Sequence, residues 1–309
     1  MFRLTMPDNT LEYSHRLKLM RNQLDEFLSS RALSEIFSLL KVDRDTIGEV
    51  YNARRKNDGR VLETHALMPK RELDSVRNEL YLLFRELGFI DINKPIRTDH
   101  SHILVLGGSF NATFDRTYAA ARWVTESTRF VEGLSCYRPI DPIERKNSGF
   151  RSAYDTEFGV MSDAFGSVFM LPSSDWKDSF SGDRNLNRIS CVRSLNTATD
   201  DSAYRIFAAP STQAELRRAD TGDSLLFFLD HSDLSADDSV LAVTNNMFCN
   251  RQFLQIVYFL MKRRTCVNFD IVGCIPDDRI TGKENFNPVI YIQELIALLF
   301  WIDRFDKDI

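Results

Sequence analysis

The segment Ile103-Leu-Val-Leu-Gly-Gly-Ser109 sets four apolar residues against two glycines and a hydroxyl. An apolar run of this length suits a strand buried on both faces. Glycine lets the backbone turn sharply and approach a ligand closely. A helix that follows such a turn aims its free N–H groups and its dipole at an anion. Gly107, Gly108 and Ser109 are therefore expected to cradle a phosphate-like or carboxylate-like group. Arg116, about two helical turns onward, is expected to point back and neutralise it, although a surface ion pair would also suit this residue. The turn lacks the third glycine of the dinucleotide fingerprint and the Gly-Lys-Ser/Thr ending of a P-loop.

Three further constellations carry chemistry. Arg193-Ser-Leu-Asn-Thr-Ala-Thr-Asp200 offers Asn196 and Thr197 either as ligand hydrogen-bonding groups or as helix-capping residues. Val243-Thr-Asn-Asn-Met-Phe-Cys-Asn-Arg-Gln252 places Thr244 and Asn245 at a strand's carboxyl end, with Arg251 ready to balance an anion. Its Cys249 has no histidine near it in sequence and reads as a buried thiol rather than a nucleophile. Ser135-Cys-Tyr-Arg-Pro139 supplies Arg138 for bidentate phosphate contact. Glu157, further along, is a general base, a metal ligand or a capping partner. Asp230 and His231 follow an apolar run and stand behind Glu157 as catalytic candidates. The five histidines form no metal pair at helical spacing, and the five cysteines form no CxxC, so no metal site or cofactor is indicated.

These groups need a scaffold. Residues 9 to about 88 carry leucines and phenylalanines at helical spacing between charges, with Asn57-Asp-Gly59 marking a turn and Pro69 opening a second helix. From Asp99 the period changes. Strands are expected at Ile103–Leu106, Phe130–Leu134, Leu225–Leu229, Val240–Val243 and Phe269–Val272. Helices are expected at Thr113–Thr125, Glu157–Phe165, Thr199–Phe207 and Asn250–Lys262. Pro172–Asn187 and Pro276–Pro288 read as loops, and a last helix runs from about Val289 to Arg304. The alternation predicts an α/β fold: an open, mostly parallel sheet with flanking helices, preceded by a helical N-terminal region. Three parts follow, 1–98 helical, 99–275 the α/β ligand-binding core, and 276–309 a loop and helix packed on that core.

The 309 residues are 43% apolar, enough for a real core, and carry a formal net charge of -5. That balance argues against a broad grip on nucleic acid. Scattered thiols, an N-terminus without a long apolar run and no membrane-length apolar segment predict a soluble chain in a cytosol, its own cell's or a host's.

The order of the motifs resembles the SanA/YdcF-like family of bacterial proteins over residues 100 to 275. The matching pieces are Leu106-Gly-Gly-Ser109 with Arg116, Glu157, Ser194-Leu-Asn-Thr197, and Val243-Thr-Asn245 with Arg251. The resemblance implies a Rossmann-like α/β fold with the motifs gathered on one edge of the sheet. It also implies a nucleotide-like ligand or a role in envelope biogenesis. Ser109 replaces that family's third glycine, Asp200-Asp201 its Glu-Asn, and Asn246, Met247 and Phe248 the stretch that carries its histidine.

Two functions follow as expectations. One is binding of a nucleotide or other phosphorylated small molecule at the carboxyl edge of the sheet, extending to hydrolysis or transfer of part of it. The other is a non-catalytic interaction module that docks a protein partner through the N-terminal helices.

Overall fold

The computed structural model describes residues 1–51, 70–141, 144, 154–183, 187–196, 203–215, 217–274 and 286–309. The predicted turn at Asn57-Asp-Gly59 and site residue Thr197 lie outside these. The chain divides into two compact units, one of residues 1–93, 246–258 and 275–309, the other of residues 94–245 and 259–274.

The second unit is the α/β part. Its strands are β1 (His102–Leu106), β2 (Phe130–Cys136), β3 (Lys177–Ser181), β4 (Ser190–Asn196), β5 (Ala203–Ala209), β6 (Ser239–Asn245) and β7 (Asn268–Cys274). They form one sheet in the order β3-β4-β5-β2-β1-β6-β7. Strands β5, β2, β1, β6 and β7 are parallel, while β4 and β3 add as an antiparallel edge. The expected open, mostly parallel sheet is present. Every residue of β1 is buried, as a central parallel strand requires.

Helices α5 (Phe110–Ala121), α6 (Glu157–Val168) and α7 (Thr221–His231) flank the sheet. Ile103 and Val105 of β1 pack with Ala120 of α5 and Phe158, Met161 and Phe165 of α6 on one face. Phe207 of β5 turns the other way, its ring 5.7 Å from that of Phe228 on α7. The sheet is thus covered on both sides. After β2 and β5 have been laid on one side of β1, the chain crosses to β6 on its other side. The carboxyl ends of β1 and β6 therefore bound the topological switch point, the place where open α/β sheets bind ligands.

Two predicted elements exchange identity. Leu225–Leu229 is helix, within α7, not strand. A continuous apolar run does not distinguish a buried strand from a buried helix. The decision lies upstream, where Asp220 accepts from the Asp223 backbone and Asp223 from that of Asp220, a reciprocal cap. Conversely, the described part of the expected helix Thr199–Phe207, from Ala203 onward, is strand: Ala203–Ala209 forms β5 and pairs along its whole length with β2. Tyr204 and Ile206 are buried on either side of half-buried Arg205, the alternation of a strand. Ser190–Asn196 is β4, and the expected loop Pro172–Asn187 contains β3.

The first unit is helical: α1 (Tyr13–Leu28), α2 (Arg31–Leu40), α3 (Ile47–Tyr51), α4 (Arg77–Glu86), the first ten residues of α8 (Cys249–Lys262) and α9 (Pro288–Asp308). A short 3-10 helix, Arg71–Val76, leads into α4 where a helix from Pro69 was expected. Residues 275–309 group with these helices. Phe84 of α4 meets Phe286 and Tyr291, the latter on α9, with ring centroids 6.2 and 5.6 Å apart. Tyr258 donates to Asp308 at 2.6 Å.

A buried ionic cluster ties the amino ends of the central strands. Glu132, fully buried on β2, accepts from His102 Nδ1 of β1 at 2.8 Å and pairs with Arg205 of β5. Removing one partner strands a buried charge. Glu132→Ala should therefore lower unfolding free energy by roughly 3–5 kcal/mol. Glu132→Gln should cost less, because an amide oxygen still accepts from His102. Urea melts giving the two variants equal losses would contradict this account.

Candidate functional site

The carboxyl edge at the switch point is built around two buried arginines. Arg116 projects from α5 toward the turn that opens its own helix. Its Nε donates to Asn245 Oδ1 at 2.6 Å, and its Nη1 donates to the carbonyls of Leu106, at 2.7 Å, and Gly107. Arg116 thus joins the ends of β1 and β6, filling the crevice where a ligand was expected. It is 2% exposed, which removes the surface ion-pair reading.

Arg138 follows β2 and makes three contacts. Nε donates to Glu157 Oε2 at 2.9 Å, Nη1 to Glu144 Oε1 at 2.9 Å, and Nη2 to the Gly108 carbonyl at 3.0 Å. Burial works against the guanidinium's charge, but Glu157 and Glu144 outweigh it and raise its pKa further. Local pairing sets this geometry. The Glu157 backbone N–H donates to the Arg138 carbonyl at 2.9 Å and that of Ile140 to Asp155 at 2.8 Å, around a bridge between Pro139 and Thr156. Thr156 then caps α6 by accepting from Gly159, so Glu157 stands in the first helical turn.

The glycines serve space rather than unusual dihedrals, since neither has positive φ. A Cβ at Gly107 would overlap the Leu134 carbonyl and Glu157 Oε1, and one at Gly108 would lie 3.0 Å from Arg116 Nη1. Close approach is what the sequence predicted, but the groups that approach belong to the protein. Ser109 is the N-cap of α5 without a side-chain cap bond. The carboxylate of Glu144 takes that part, with Oε2 accepting from the Phe110 N–H at 3.3 Å. The expected anion position at the start of α5 thus holds a carboxylate of the same chain.

The predicted site residues divide into three groups. Gly107, Gly108, Ser109, Arg116, Arg138, Glu157 and Asn245 share the carboxyl edge, and Thr244 precedes Asn245 fully buried on β6. Asn196 does not join them, because β4 is antiparallel and Asn196 pairs with Ala203 at the amino end of β5. Asp230 and His231 also lie away from this edge. They end α7, whose start meets the end of β2 through Ser224 and Ser135, and the His231 carbonyl faces Arg205 beside Glu132. Asp230 is exposed and pairs with Arg263 at 2.6 Å. Arg251 belongs to the helical unit, where it pairs with Glu294 at 2.6 Å. The catalytic reading of Asp230 and His231 rested on a strand that is a helix.

Sequence reasoning missed Glu144. Glu144 comes six residues after Arg138 with prolines between, a turn pattern that brings an acid back to the base. Among the described residues, no group of three or more His, Cys, Asp and Glu side chains is arranged to hold a metal ion, and no helix is long and apolar enough to cross a membrane. Compared with known protein families, curated proteins and solved structures, the chain matches none.

Cys136 reports on how closed this edge is. Its Sγ lies 3.9 Å from Glu157 Oε2. Burial, and then the Glu157 charge, push the thiol up to about 12. Burial raises Cys191 and Cys274 to about 11 each, Cys249 is fully buried, and Cys266 is exposed. Labelling with a thiol reagent at pH 8 should modify Cys266 quickly and the other four only on unfolding. Rapid labelling of Cys136 in the native protein would show an edge open to solvent.

Proposed function

We propose that the carboxyl edge of the sheet binds a nucleotide or other phosphorylated small molecule, and that the ligand's anionic group takes the position of the Glu144 carboxylate. One observation carries this reading. Glu144 bridges the first free N–H of α5 and the buried Arg138, the two donors that an external anion would use. A phosphate there would keep both bonds and add charge, while Glu144 would gain the hydration it lacks when buried.

The rest of the edge supports the same reading. Arg116 holds the ends of β1 and β6 in place, so the turn does not need to reorganise when ligand arrives. Glu157 Oε2 is fixed by Arg138 while Oε1 faces Gly107. The position of Glu157 beside the turn extends the proposal to hydrolysis or transfer of part of the ligand, with Glu157 as general base. Resemblance to the SanA/YdcF-like family belongs to the same proposal. It rests on Gly107, Gly108, Arg116 and Glu157, which lie together, and draws nothing from Ser194-Leu-Asn-Thr197, whose described part ends at the opposite edge.

The test is a thermal-shift screen with nucleotides, nucleotide sugars, S-adenosylmethionine and inorganic phosphate, each with and without a divalent metal. A ligand that binds only the folded chain raises Tm once its concentration exceeds Kd. Removing the internal competitor should help the ligand. Glu144→Gln should tighten binding about tenfold, equivalent to about 1.4 kcal/mol. A panel without any shift, or a Glu144→Gln variant that binds a hit more weakly, would sink the proposal. For a ligand that is turned over, Glu157→Gln should leave Kd within about threefold and reduce kcat at least about a hundredfold.

A further inference from the structure

The helical unit carries a groove between α2 and α4 that the sheet-edge proposal does not use. Its floor is apolar, with Leu39 from α2 and Leu82 from α4. Leu82 is 58% exposed on a helix whose other leucines, Leu80 and Leu83, are buried. Its rim is acidic. Glu79 and Glu86 stand one turn to either side of Leu82 on α4, and Glu35 stands one turn before Leu39 on α2. Arg31 pairs with Glu35 at 2.5 Å and with Glu86 at 2.6 Å, closing one end. One positive and three negative side chains leave the rim with two net negative charges.

We infer that this groove docks a basic amphipathic helix of a protein partner. Two packed helices with an exposed leucine between them offer a ridge-and-groove surface to a third helix. Charge complementarity selects the partner's chemistry: leucine-like side chains on one face, flanked by lysine or arginine that meet Glu35, Glu79 and Glu86. The same rim repels an anionic lipid surface. The inference is independent of the ligand at the sheet edge and names a surface and a partner chemistry for an interaction role of the N-terminal helices.

The experiment uses the full chain and a fluorescein-labelled synthetic helix with leucines at i, i+3, i+4 and i+7 and lysines beside them. A second peptide has glutamate in place of each lysine. Anisotropy should show saturable binding of the lysine peptide and at least about tenfold weaker binding of the glutamate peptide. Leu82→Asp, at an exposed position, should keep the Tm within a few degrees and weaken the lysine peptide at least about tenfold. Glu79→Lys/Glu86→Lys should reverse the preference between the two peptides. Equal binding to the parent and Leu82→Asp chains would overturn the inference. So would a mass that doubles with concentration and becomes monomeric in Leu82→Asp, because a second copy would then cover the groove. Retention by Leu82→Asp of any Tm response to a sheet-edge ligand would confirm that the two sites are separate.

Discussion

A parallel sheet ends in carbonyls that no neighbouring strand can satisfy, and in this chain two arginines supply the missing donors. Three consecutive carbonyls, of Leu106, Gly107 and Gly108, are taken up by Arg116 and Arg138. Buried backbone acceptors demand partners, and a guanidinium carries five N–H donors in a fixed fork. The rest of the edge follows from that choice. A buried guanidinium needs compensation, which Asn245 gives Arg116 as a neutral acceptor and which Glu157 and Glu144 give Arg138 as charges. The glycines then become a spatial requirement, because Arg116 and Glu157 stand where side chains at 107 and 108 would project.

This arrangement changes the electrostatic meaning of a glycine turn between a strand and a helix. The usual expectation is of backbone N–H groups facing an external anion. Here the carbonyl side of the turn is held by cations, and the nearest helical N–H is held by Glu144. The turn is therefore a closed circuit of internal partners. Any anion that binds must exchange with one of them, and Glu144 is the member whose departure costs the sheet least. Its carboxylate bonds the Phe110 N–H of α5 and Arg138, whereas Arg116 holds the Leu106 and Gly107 carbonyls and Arg138 holds that of Gly108.

The strands of the sheet centre were legible because short, mostly apolar runs alternate with helical stretches at the spacing of βαβ units. Ile103–Leu106, Phe130–Leu134, Val240–Val243 and Phe269–Val272 all fall within strands. Legibility failed where local pattern and tertiary pairing compete. Leu225–Leu229 has strand-like composition, but its fate is set by the Asp220–Asp223 cap and by the bond from Ser224 to Ser135. Ala203–Ala209 is strand because β2 and β4 pair with it on either side. Those two exchanges account for where Asn196, Asp230 and His231 lie. Asn196 and His231 each carried plausible chemistry, and each was assigned to an edge through an element of the wrong kind. Glu144 was missed for another reason: its bond to Arg138 is a tertiary pairing that periodicity does not encode, and the prolines between the two were the one local signal.

The two ends of the same sheet solve the problem of buried charge differently. At the amino end, Glu132, His102 and Arg205 all project from neighbouring strands, so their spacing is fixed by the ladder itself. Strand-borne groups have little freedom to admit another molecule. At the carboxyl end, Arg138, Glu144 and Glu157 come from the segments that follow β2 and from the first residue of α6. Their positions rest on side-chain pairing and one isolated bridge, not on a ladder. Groups held by loops on a rigid scaffold are those that can trade an internal partner for an external one. A chain that needed only to neutralise charge at this edge would be as well served by the amino-end solution. At the switch point, against a helix N-terminus and a buried arginine, the Glu144 carboxylate occupies the position that the proposed ligand would take.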